Sequence, residues 1–61
     1  KLLLKLGADD VNNALVYAAK NNQFEIIDIM IENKADWFDL AIKYAAENNY
    51  NEMVNYLEEF I

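Results

Sequence analysis

The chain repeats itself at a spacing of 27 residues, which restricts its possible folds more than any other property. Tyr17-Ala18-Ala19-Lys20-Asn21-Asn22 returns as Tyr44-Ala45-Ala46-Glu47-Asn48-Asn49. The same shift lays Ala8-Asp9 on Ala35-Asp36, Ala14 on Ala41, Glu25 on Glu52, and Leu2-Leu3-Leu4 on the apolar run Ile29-Met30-Ile31. Self-similarity at a fixed period of this size marks stacked supersecondary units, each with an apolar face that only its neighbours can bury. Such stacks commonly present extended binding surfaces.

Within one unit, Val11, Ala14, Leu15 and Ala18 stand at i, i+3, i+4 and i+7 and predict a helix from Asp10 to Asn21, with Asp9 as its N-cap. Asn21-Asn22 should end it, because Asn tolerates the left-handed backbone needed just past a helix C-terminus. Phe24, Ile27, Met30 and Ile31, with Ile26 alongside, predict a second helix to about Asn33, and Glu25 suits the positive end of its dipole. In the second copy Asp36 is the expected cap, with Asp39 completing a capping box. Phe38, Ala41, Ile42 and Ala45 should face inward, Asn48-Asn49 should break the helix, and Met53, Val54, Leu57 and Phe60 should line the last one. Helices this short are marginal alone, so packing must hold them. Ala18-Ala19 and Ala45-Ala46 are small enough for close helix approach. Tyr17 and Tyr44 recur and are expected at the core edge, whereas Tyr50 and Tyr56 do not recur and are expected to cover the last unit.

The units divide as a partial repeat at 1–8, a full repeat at 9–35 and a third at 36–61. Leu2 to Leu6 read as the end of a second helix closed by Gly7. Glu58-Glu59 stand where Ile31-Glu32 stand, so the last helix is the more polar. These features predict a piece of a longer array, taken near its C-terminal end, with Leu2, Leu3 and Leu4 open for stacking on another copy.

Composition narrows the function. Eleven acids oppose five lysines, a net charge of -6 that disfavours nucleic acid and anionic membranes and suits solubility or a basic partner. The absence of cysteine fits a reducing, intracellular and cytoplasmic setting. No apolar run approaches the ~20 residues of a membrane span. The chain also lacks Ser, Thr, His and Arg, so the usual nucleophiles and general base are missing. Asp9-Asp10 and Glu58-Glu59 are sequence neighbours, which do not face each other on a helix. Asp36 with Asp39 offers too few carboxylates for a calcium loop, and a lone Gly7 cannot build a phosphate loop. No catalytic residue, metal site or cofactor is expected.

Leu15-Val16-Tyr17-Ala18-Ala19, the turn Asn22-Gln23, then Glu25-Ile26-Ile27-Asp28-Ile29-Met30-Ile31 closing at Ala35-Asp36 resemble the ankyrin repeat, as do Ile42 to Ala46, Asn49-Tyr50 and Glu52 to Leu57. The Pro and His of the ankyrin start and its Gly-His turn are absent. The period is shorter than the family's 33 residues, and the missing residues fall where ankyrin repeats form a β-hairpin finger. The resemblance implies an all-α, helix-turn-helix solenoid of about two and a half fingerless repeats, closer in period than the other helix-pair solenoids. It also implies a protein-protein interaction scaffold without catalysis, the alternative being a self-association module. Its binding face would be the short loop and the outer side of each first helix: Asp10, Asn12, Asn13, Val16 and Lys20, then Trp37, Asp39, Leu40, Lys43 and Glu47. Trp37 stands where the other copy has Asp10. It either supplies an interface side chain or folds over the neighbouring repeat to complete the core.

Overall fold

The computed structural model describes residues 7–61. The expected helix over Leu2 to Leu6 and the expected stacking contact of Leu2, Leu3 and Leu4 lie outside the described residues. Four helices follow in order, α1 (Ala8–Lys20), α2 (Phe24–Glu32), α3 (Phe38–Glu47) and α4 (Asn51–Glu58), with no strand among the described residues. α1 packs on α2 and on α3, and α3 packs on α4. The chain thus forms two stacked helix pairs, an all-α repeat fold.

Three helices stop in the same way. The backbone turns left-handed at Asn22 (φ 59°), Lys34 (φ 76°) and Asn49 (φ 63°). The next N–H then reaches back across the last turn: Gln23 to the Ala18 carbonyl, Ala35 to Met30 and Tyr50 to Ala45, at 2.9, 3.0 and 2.9 Å. This is the Schellman arrangement, which satisfies carbonyls that a helix end otherwise leaves bare. The Asn just before each left-handed residue adds its side chain. Asn21, Asn33 and Asn48 donate Nδ2 to the carbonyls of Tyr17, Ile29 and Tyr44 at 2.8, 2.7 and 2.8 Å. In two of the three turns Asn is therefore used twice, once for its hydrogen bond and once for its tolerance of positive φ. Lys34 holds the same geometry without that tolerance.

The helix starts differ from expectation. α1 begins at Ala8, and its N-cap is Gly7 rather than Asp9. Asp10 accepts the Gly7 N–H through Oδ2 at 3.2 Å, and Asp9 merely sits in the first turn, where the dipole favours it. Gly7 itself is extended (φ -76°), not in the left-handed conformation of a helix-closing glycine. The N-cap of α3 is Trp37, not Asp36, and no side-chain cap bond forms there. Asp36 is outside the helix, and a different residue described below holds its N–H.

The core comprises Val11, Leu15, Ala18 and Ala19 of α1, Ile27 and Met30 of α2, Ala35 of the connection, Ala41 and Ala45 of α3, and Met53 and Leu57 of α4. Leu15, Ile27, Met53 and Leu57 are its largest fully buried side chains, each worth about 1.5–3 kcal/mol of burial. Ile42, Val54 and Phe38 are only half-buried against it, and Phe60, expected on the inner face, is exposed. Phe60 instead stacks its ring on Phe38 (5.5 Å between centroids, 6° between planes) and meets Tyr56 edge-on. Tyr56 ties the two second helices together: its ring meets Phe24 edge-on at 5.4 Å, and its hydroxyl donates a hydrogen bond to the Asp28 carboxylate. The expectation that Tyr56 covers the last unit therefore resolves into a clasp between α4 and α2.

Candidate functional site

The outer face of the first helices is built around Asn12. This residue was expected on the exposed side of α1, yet it is buried, with 4% of its surface accessible. Its Oδ1 accepts the backbone N–H of Asp36 at 2.7 Å and of Trp37 at 3.2 Å. These N–H groups precede the first turn of α3 and have no helical carbonyl to bind, so one side-chain oxygen satisfies both. The bond pins the start of α3 to the start of α1 and fixes where Trp37 leaves the backbone. Sequence periodicity missed Asn12 because Val11, Ala14, Leu15 and Ala18 describe only one stripe of α1. A second stripe, Asn12, Leu15, Val16 and Ala19, completes a wide buried face on a helix with two neighbours. Ala19, seven residues on from Asn12 along that stripe, is fully buried.

Of the predicted face residues, Asp10, Asn13, Lys20, Trp37, Asp39, Leu40, Lys43 and Glu47 are exposed. Val16 is not freely so: it is half-buried against the core. Trp37 and Leu40 are each 38% accessible, one turn apart at the start of α3, and form the apolar part of the face. Trp37 is not among the buried core residues. At the other end of the face the Lys20 ammonium lies 5.8 Å from the centre of the Tyr44 ring, a cation–π contact between α1 and α3. Tyr44 is half-buried there, but Tyr17, expected at the core edge, is 68% exposed.

The other features offer little chemistry. An open cleft of about 290 Å³ lies at the helix turns, lined by Asn22, Asn49, Tyr50, Asn51 and Glu52, apart from the Trp37 and Leu40 face. Among the described residues no three His, Cys, Asp or Glu side chains gather as a metal site requires, and no helix is long and apolar enough to cross a membrane. The Tyr56 phenol has its pKa raised, chiefly because it donates to Asp28, with desolvation and the charges of Asp28 and Glu59 adding to this.

The sequence model of one family, described as ankyrin repeats in three copies, matches residues 1–59. No curated protein matches the chain. No solved structure matches it either.

Proposed function

The chain belongs to the ankyrin-repeat family, and from that premise we propose that the joined outer faces of α1 and α3 bind another protein, with Trp37 and Leu40 at the centre. Ankyrin repeats generally serve as protein-protein interaction modules and are typically non-catalytic. The proposed scaffold is a part of a longer array, with units at 1–8, 9–35 and 36–61. The observation that carries the reading is the exposure of Trp37 and Leu40 on a helix start that Asn12 holds in place. A large aromatic contributes most to an interface when its backbone is already ordered, because little entropy remains to be lost on binding. Asp39, Lys43 and Asn13 surround that centre as its polar margin, with Asp10, Lys20 and Glu47 beyond.

The test compares partner capture from the source cell by the wild-type chain and by a Trp37→Ala, Leu40→Ala variant. Binding should weaken by about 2 kcal/mol or more for loss of the aromatic anchor, while helicity and the unfolding midpoint stay near wild type. Undiminished capture by the variant would rule the face out. A loss of binding that tracks a loss of fold would return Trp37 to a structural role.

A further inference from the structure

We infer that the partner brings an apolar side chain flanked by Lys or Arg to the Trp37 and Leu40 patch. This rests on the proposed binding face and adds the chemistry of what it receives. The first turns of α1 and α3 lie side by side, because Asn12 Oδ1 bonds the N–H groups of both Asp36 and Trp37. Those turns carry four exposed carboxylates, Asp9, Asp10, Asp36 and Asp39, and residues 9–13 and 36–40 contain no lysine. The nearest cations along the chain are Lys5, four residues before Asp9, Lys34, in the connection, and Lys43, one turn beyond Leu40.

Asp9, Asp10 and Asp39 occupy first helical turns, where the dipole stabilises the anion, and Asp10 also accepts the Gly7 N–H. An acidic or phosphorylated partner would meet this ring as like charge against like. A neutral apolar segment would cover it without compensation. A segment with cations beside its apolar residue fills the patch and meets the ring together, and charge of this sign also speeds its approach.

Trp37 is the chain's single tryptophan, so its emission reports on the patch directly. Three short peptides serve as probes: leucines flanked by lysines, the same leucines flanked by glutamates, and the lysine peptide with glycines for leucines. The lysine-leucine peptide should shift Trp37 emission saturably and bind about tenfold or more tighter than either control, with an affinity that falls as salt rises. Asp36→Asn with Asp39→Asn should weaken it about threefold or more, whereas Glu58→Gln with Glu59→Gln, which removes as many charges from the end of α4, should leave it unchanged. Circular dichroism confirms that both variants stay folded. Tighter binding of the glutamate peptide, or equal weakening by both variants, overturns the basic-partner inference and leaves the face standing. No response of Trp37 to any of the three at millimolar concentration overturns both.

Discussion

The two helix pairs share their backbone and differ in what they bury. α1 and α3 end at equivalent residues, Lys20 and Glu47, and turn through the same hydrogen bonds into α2 and α4. Yet Ala19 is inaccessible and its counterpart Ala46 is exposed. Asn12 is buried and bonded, while Asp39, in the same place one period later, is exposed. The second helices reverse the order: Met53 is fully buried, and its counterpart Ile26 is 37% accessible. Tyr56 clasps Asp28, whereas Ile29, its counterpart, is half exposed. Ala18 with Ala45 and Met30 with Leu57 stay buried in both copies, so burial follows the repeat at some positions and departs from it at the four just compared. α1 lies between α2 and α3 and covers two faces, whereas α3 turns its equivalent later face, Asp39, Lys43 and Ala46, outward.

This asymmetry can be broken at matched positions, starting with the core. Met53→Ala should cost about 2–5 kcal/mol in urea unfolding, because a fully buried side chain leaves a cavity, while Ile26→Ala should cost about 1 kcal/mol or less. Equal losses would mean that the second helices are buried alike. Next, Asn12→Ala strips the acceptor from two backbone N–H groups and should destabilise by about 2–3 kcal/mol, against about 0.5 kcal/mol or less for Asp39→Ala. Amide hydrogen exchange at Asp36 and Trp37 should rise in the first variant and not in the second.

Lys34→Gly sharpens the comparison of the turns. Lys34 occupies a left-handed position that Asn fills in the other two turns, so glycine should stabilise by about 1 kcal/mol. An unchanged or lower denaturation midpoint would count against strain at that residue. The smallest effect concerns the Tyr56 clasp, whose pH dependence appears at alkaline pH. A phenol whose pKa is raised in the folded chain contributes stability below its ordinary value near 10 and loses it as pH rises through the folded value. Wild type should therefore lose stability above about pH 10 relative to Tyr56→Phe, and parallel profiles for the two would remove the clasp from the stability of the stack.

Local signals in the chain predicted the helices better than their caps. The Asn pairs identified two of the three turns, because tolerance of positive φ is a property of the residue itself. Lys34 escaped notice because lysine has no such tolerance and only the closing hydrogen bonds of Ala35 and Lys34 reveal the turn. Asp9 and Asp36 have the right chemistry for caps, but Gly7 and Trp37 occupy the capping positions. The candidate face was readable as a list of outward positions, Trp37, Leu40, Lys43 and Asp39 among them. Its organising residue was not, since a polar Asn12 next to Val11 looks like solvent-facing surface until a second helix lies beside it.

The period of 27 residues, the four-helix order and the Asn-based turns follow from residue types and their spacing, because backbone preference and apolar periodicity act over a few neighbours. Which copy of each position is buried, the pairing of Asn12 with Asp36 and Trp37, and the Tyr56 to Asp28 clasp were decided by stacking. Those bonds join residues 24, 25 and 28 apart, close to one full period, so they exist only once one unit has been laid against the next.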